Sequence, residues 1–384
     1  MNHPALIAAA LFQLFAHEAL SQATPVDMGR LDSNMAVKTN QEAGIIWHSP
    51  AEAPFKLAGF AWFDHDRLYR RLPLTPSVPL PHAVDTLANH TSGGQIKFRS
   101  NSTRVLIKVQ LAKNVSPMYH MAATGQFGFD LYIGEPGKQK YYSTAAFGAK
   151  DTAYRSTLFQ QTARVKREFT LNFPLYSGVQ EVFVGLDNEA LIEAPSPYSS
   201  DKPIVIYGGS TIQGACASRP GANHMNIISR QLNMPVINLG FSGSGKLEPE
   251  LAQIMAELAR PAIYIIECER NSKYKLLSER QETFVTLLRQ KHLTVPIMIL
   301  TANPRGRESL EPDQSDRLRN WTFMHDLVNK MRKAGDTNIH FVDGSKMLGE
   351  DFYECSVDGT HPTDLGFYRM AQGLTPVLKQ ILGL

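Results

Sequence analysis

From about Ala53 to Glu189 the apolar residues come in short runs broken by turn residues, and several runs alternate apolar with polar positions. Gln95–Arg99, Arg104–Leu111, Phe127–Ile133, Val165–Phe173 and Glu181–Gly185 carry this period of two, which belongs to half-buried antiparallel strands. The half they occupy is expected to be an all-β sandwich. Between Glu193 and Pro203 proline and serine concentrate without periodicity, as in a linker. Beyond it the pattern changes. Ile204–Tyr207, Val236–Leu239, Ala262–Glu267, Pro296–Thr301 and Ile339–Asp343 are apolar runs of the kind buried on both faces. Helical stripes fall between them, at Leu251, Ile254, Met255 and Leu258 and again at Phe284, Leu287 and Leu288. Strand and helix in alternation imply a parallel sheet with helices on both faces. A last helix is expected over Asp364–Leu382, kinked or split at Pro376.

The N-terminus adds an apolar run, Ala5–Ala16, followed by the small-x-small triplet Ser21-Gln22-Ala23, so residues 1–23 read as a signal peptide and the product as secreted or periplasmic. No Lys or Arg precedes the run, and an N-terminal amphipathic segment is the alternative. The run is too short to span a bilayer, and no other stretch has eighteen apolar residues, so no transmembrane helix is expected. The remainder divides into a β-sandwich domain, 24–192, a linker, 193–203, and an α/β domain, 204–384.

Composition narrows the function. The 384 residues carry 39 Lys+Arg and 36 Asp+Glu, a formal charge of +3, with no basic block to neutralise phosphates. Nucleic acid is therefore not an expected partner. With 43% hydrophobic and 20% charged residues, the chain is neither disordered nor fibrous. Three cysteines, Cys216, Cys268 and Cys355, are too few for a disulfide scaffold. They lie close to strand-end loops of the α/β half, with a Cys216–Cys268 pair and free Cys355 as one reading and three buried thiols as the other.

In an open α/β sheet, reactive groups collect where strands end. After the first strand, Gly208-Gly209-Ser210 offers a sharp turn that lifts a hydroxyl out of the sheet edge, with a helix start behind it. After the second, Gly240-Phe241-Ser242-Gly243-Ser244-Gly245 lacks the Lys-Ser/Thr of a P-loop, leaving a flexible connector or a backbone N–H donor at Gly243. After the third comes Asn271, a turn residue or an amide donor. Asp358-Gly359-Thr360-His361-Pro362 sets a carboxylate three residues before an imidazole, and the Asp-Gly turn can fold it onto Nδ1. Each motif alone has a plain reading as a turn.

Together, in this order and spacing, they resemble the SGNH (GDSL-type) hydrolase superfamily over most of residues 201–384. Gly208–Gly221, Asn238–Gly245 and the motif Gly128-Phe129-Asp130-Leu131-Tyr132 are similar to its branch with an N-terminal GxDLY β domain. The resemblance implies a three-layer α/β/α domain with a five-stranded parallel sheet, preceded by a jelly-roll-like sandwich. It implies Ser210 as nucleophile, His361 as general base and acid, and Asp358 as its orienting partner. The oxyanion hole would comprise the Ser210 and Gly243 N–H groups and the Asn271 amide. Two positions depart from the family pattern: Gly209 stands where Asp is usual, and Glu269 where Gly is usual.

The expected reaction is carboxylic ester hydrolysis without cofactor or metal, since His-x-x-x-His and Cys-x-x-Cys spacings are missing. A β-sandwich joined to an SGNH domain is similar in layout to carbohydrate acetylesterases, so the expected substrate is a small-molecule or polysaccharide ester. Tyr119, His120, Tyr132, Tyr141 and Tyr142 are candidate sugar-stacking rings or simply core. A lipase or lysophospholipase, and an inactive carbohydrate-binding protein, are the alternatives. Residues 201–384 contain no long apolar insertion to serve as a lipase lid. Asn-x-Ser/Thr triplets begin at Asn89, Asn101, Asn114 and Asn320.

Overall fold

The computed structural model describes residues 27–32, 35–36, 42–112, 116–148, 150–310 and 314–384; the expected signal peptide and Asn114 lie outside the described residues. The chain forms two units, residues 1–39 and 40–384. In the first, Asp27 caps the single helical turn Met28–Leu31. Among the described residues no helix is long and apolar enough to cross a membrane.

The second unit begins with ten strands: β1 Ile45–His48, β2 Lys56–Ala58, β3 Gln95–Ser100, β4 Arg104–Leu111, β5 Asp130–Ile133, β6 Lys140–Thr144, β7 Ala153–Gln160, β8 Arg167–Asn172, β9 Val179–Asp187 and β10 Ile192–Glu193. They make two antiparallel sheets, β1-β9-β4-β7 and β10-β3-β8-β5-β6, with β2 added to β3. Alternate residues of β4, Val105, Ile107, Val109 and Leu111, enter one cluster with Phe98, Leu131, Phe169 and Leu171 of the other sheet. The period of two places them there.

Five further strands, β11 Ile204–Gly208, β12 Val236–Gly240, β13 Ile263–Glu267, β14 Ile297–Leu300 and β15 Ile339–Val342, form a parallel sheet in the order β12-β11-β13-β14-β15. The first three of them are buried at every position. Val205 and Tyr207 share a core cluster with helices Pro249–Ala256, Glu269–Lys291 and Ser315–Lys333. Ile204 and Ile206 share another with His224–Leu232 and Asp364–Leu382. This is the α/β/α layering.

Three findings refine the expected outline. Asp364–Leu382 runs as one helix through Pro376, without the expected split. Buried Leu374 and Leu378 flank the proline, and Thr375 Oγ1 donates to Gln231 at 2.6 Å, so packing outweighs the lost hydrogen bond. The segment 193–203 is laid onto a β sheet: Tyr198 donates to Gln95, and Lys97 lies 4.0 Å from its ring centre. Finally, Leu72, Val84 and Ala88 belong to the core cluster of the parallel sheet, so a segment between β2 and β3 completes the α/β half.

Arg71 makes the same crossing. Its side chain is fully buried, and it donates to the carbonyls of Leu87 and His90 and to those of Asn238 and Gly240 at the end of β12. Its guanidinium sits 4.6 Å from the Phe241 ring centre. Burial pulls its pKa down to about 9, with Tyr176 opposing the fall and Arg70 adding to it.

Candidate active site

In the parallel sheet β11 pairs with β12 on one side and β13 on the other, so its C-terminal end is the topological switch point where crevices form. Ser210 stands there, as the first residue of the short helix Ser210–Gln213, where N–H groups have no intrahelical acceptor. Tyr176 of the β half donates its hydroxyl to the Ser210 carbonyl at 3.2 Å.

The last loop brings an imidazole. Ser356 and Pro362 form an isolated antiparallel bridge, and the Val357 N–H donates to the His361 carbonyl at 2.9 Å, closing a tight loop. Inside it, Asp358 Oδ1 accepts the N–H groups of Thr360 at 3.0 Å and His361 at 2.8 Å, a self-bonding turn that Asp favours. Asp358 Oδ2 lies 2.7 Å from His361 Nδ1, and the Ser210 hydroxyl lies 2.9 Å from His361 Nε2. With the proton on Nδ1, Nε2 accepts from the serine. Burial raises the Asp358 carboxyl, but hydrogen bonds from the His361 backbone and ring and from Thr360 outweigh it and hold its pKa at about 2.

The glycine loop after β12 is clasped to the serine helix. Asn238 donates to the Ile212 carbonyl at 2.7 Å, and Gln213 Oε1 accepts the Ser242 N–H at 2.9 Å. In that loop Gly243 has φ +69, a conformation that disfavours any side chain. Asn271 donates from Nδ2 to the Ser244 carbonyl, which leaves its second amide hydrogen without an acceptor among the described residues. A Cβ at Gly209 would stand 2.3 Å from Asn271 Nδ2, so the glycine in the usual Asp position is what admits the amide. Its φ of −94° suits any residue, and the amide is the movable end of a side chain. With Asn271 in the oxyanion role that the resemblance implies, Gly209→Ala is expected to leave the urea midpoint nearly unchanged while lowering kcat about 10²–10³-fold, the usual cost of one such donor.

Glu269, the other departure, turns away from this site. It accepts the Ala302 N–H at 2.8 Å and the Asn320 amide at 3.4 Å, and it is buried. Asn320 is buried too, which removes it as a glycosylation acceptor in the folded chain. Glu267, at the end of β13, is pushed up to about 8 by burial, with the Arg270 charge opposing and Glu269 adding. With Thr211, Arg270 and Thr360 it borders a void of about 10 Å³. Between an ordinary carboxylate pKa and about 8 the folded state binds the extra proton, so this group costs stability as pH rises. Glu267→Gln is expected to match the wild type at about pH 5 and to exceed it in urea midpoint at about pH 8.

The β half reaches the site at places that sequence reasoning left unassigned. Asp130 of the GxDLY motif is fully buried; it accepts from Asn172 and from the Gly221 N–H, both at 2.7 Å. Tyr132 of the same motif accepts from Arg219, and Arg230 lies 3.9 Å from its ring centre. The motif thus holds the loop that follows the Ser210 helix, and Tyr132 is an anchor rather than a free platform. Tyr141 and Tyr142 are partly exposed, Tyr141 with Arg219 stacked at 3.9 Å. Tyr119 is 94% exposed and stacks on His120 at 4.6 Å, and His120 meets His361 edge-on at 5.5 Å. No spacing rule points to Arg71, Tyr176 or to the nearness of His120 and His361, because each contact joins residues far apart along the chain.

All three cysteines are buried and unbridged, so the Cys216–Cys268 pairing does not form. Cys216 packs with Leu175, Cys355 and Phe367, whereas Cys268 packs with the cluster around Tyr207 and Leu247. Burial, then the Asp358 charge, pushes the Cys216 thiol up to about 12.

Two family models match: the GDSL-like lipase/acylhydrolase family over residues 201–379, and the N-terminal GxDLY region of SGNH-hydrolase-type esterases over residues 45–192. A Bacteroides ovatus protein described as a GDSL-like lipase is 30% identical, with a TM-score of 0.80, 88% of this chain covered and 98% of that one. A salicylyl-acyltransferase from a tetracycline biosynthetic pathway is 18% identical, with a TM-score of 0.69, covering 90% and 99% of the two chains. A family two carbohydrate esterase from Clostridium thermocellum, in complex with cellohexaose, is 14% identical, with a TM-score of 0.56, covering 88% and 99%. The last two share the fold. No curated protein sequence matches the chain. The chain therefore belongs to the GDSL-like lipase/acylhydrolase family, in the branch with a GxDLY N-terminal region, and is a carboxylic ester hydrolase.

Proposed function

We propose that this hydrolase is a secreted serine esterase that removes acetyl groups from a carbohydrate or polysaccharide. The observation that carries the chemistry is the unbroken line Ser210 Oγ, His361 Nε2, His361 Nδ1, Asp358 Oδ2, at 2.9 and 2.7 Å. His361 takes the serine proton as the hydroxyl attacks the acyl carbon. The Ser210 and Gly243 N–H groups and the Asn271 amide hold the oxyanion. His361 then protonates the leaving alcohol and activates the water that clears the acyl-enzyme. The base must be neutral to take the serine proton.

The alcohol side is read from Tyr119, an exposed ring carried on His120 beside His361. Such a ring suits the apolar face of a sugar. The fold shared with a carbohydrate esterase fits this reading. Residues 1–23 would direct export, with the β region 24–192 and the segment 193–203 leading into the hydrolase region 204–384. The test is acetate release from acetylated xylan, mannan, pectin and simple acetylated sugars, with long-chain esters alongside. Acetate release from the carbohydrate esters is expected to dominate. Faster turnover of long-chain esters would sink the carbohydrate reading in favour of a lipase or lysophospholipase.

A further inference from the structure

We propose that His120, Cys216 and His361 form a Zn²⁺ site whose occupation switches the esterase off. The three residues come from separate parts of the fold: the segment before Ala123–Gln126, the turn after the Ser210 helix, and the last loop. Each offers one ligand atom, and these atoms all lie within 4.8 Å of one another. Two imidazoles and a thiolate are a ligand set that zinc accepts, with the fourth position left to water. Tetrahedral zinc needs such atoms about 3.3–3.6 Å apart, so binding closes the cluster by roughly 1 Å.

Two further observations point to a ligand here. His120 Nδ1 is buried and has no hydrogen-bond partner among the described residues, a costly condition that a bound ligand relieves. Cys216 is a non-glycine residue held at φ +72, in the left-handed region, and it is buried beside these rings. Backbone strain of this kind persists only where the surroundings fix it.

Coordination breaks the Cys216 S–H bond, forms a sulfur–zinc bond and releases the proton to solvent, with no change of oxidation state. Zinc also takes the His361 lone pair that otherwise accepts from Ser210. Inhibition therefore rests on His361 as the base, whereas binding does not.

Co²⁺, which takes the same ligands and reports on them by absorption, separates the two. Titration of the full chain, free of any histidine tag, is expected to give stoichiometric binding, with a near-ultraviolet thiolate-to-cobalt band and tetrahedral visible bands. Zn²⁺ should displace the cobalt and suppress p-nitrophenyl acetate hydrolysis, reversibly with EDTA. Cys216→Ser is expected to keep metal-free hydrolysis, lose the thiolate band and weaken zinc inhibition by about tenfold or more. Cys216→Ala and His120→Ala should bind cobalt about tenfold more weakly, or worse. Absence of a stoichiometric thiolate band in the folded wild type, or its persistence in Cys216→Ser, overturns the site. A band that forms with hydrolysis unaffected overturns the switch, whereas the reading of His361 as base stands or falls on the His361→Ala rate.

Discussion

Ser210→Ala is expected to lower kcat for p-nitrophenyl acetate by about 10⁴–10⁶-fold with little change in KM or in thermal stability. The hydroxyl is hydrogen-bonded to His361, and its loss removes the atom that attacks in the proposed mechanism while leaving Gly243, Asn271 and the rest of the site in place. In the proposed mechanism serine and histidine act as one unit, so His361→Ala should cost about as much, and the double variant about as much as either alone. Multiplying the two single losses would describe independent groups. Steady-state rates for the three variants, with circular dichroism to confirm folding, decide between these outcomes. An active Ser210→Ala protein would remove the serine from the mechanism.

Asp358→Asn is expected to lower kcat about 10⁴-fold. The substitution keeps an oxygen to accept the Thr360 and His361 N–H groups, so the loop can close as before. It replaces the oxygen facing Nδ1 with an amide that donates, which forces the proton onto Nε2 and leaves nothing to accept from Ser210. Because the wild-type carboxyl is held at about 2, it is charged throughout the neutral range, and the defect should persist at every pH above about 4. The same depressed value contributes stability that is full above the ordinary carboxylate pKa and is lost as pH falls through about 2. Asp358→Asn should therefore flatten the acid limb of the wild-type stability curve. Rate profiles and urea midpoints from about pH 2 to about pH 8 measure both effects.

The parallel sheet was legible because burial on both faces leaves an uninterrupted apolar signature, as in Ile204–Tyr207 and Ala262–Glu267. Strand β4 was equally plain, since Val105, Ile107, Val109 and Leu111 repeat at every second position. Strand β7 was not, because its inward positions include Ser156 and its flanks are polar, so the period of two is diluted. Strand β6 is largely exposed and offers a hydrophobic scan little to find. The Asp-x-x-His loop was visible because its geometry is local, written within five residues. Arg71 was invisible for the opposite reason: its role lies in carbonyls of Asn238 and Gly240, far along the chain, and a lone arginine in a loop carries no mark of burial. The cysteine pairing failed because nearness to the same loops along the chain did not place two side chains in the same packed cluster.

That arginine has a consequence for which positions of this chain can vary. A buried cation satisfied by main-chain oxygens accepts whatever residues occupy those positions, so side chains on both sides can drift while the join persists. The join itself cannot be divided, because β12 ends on a donor supplied by the other half. The hydrolase half is thus not a cassette to be moved between unrelated partners. Separating the halves would leave the Arg71 cation without the Asn238 and Gly240 carbonyls, and those carbonyls without their donor.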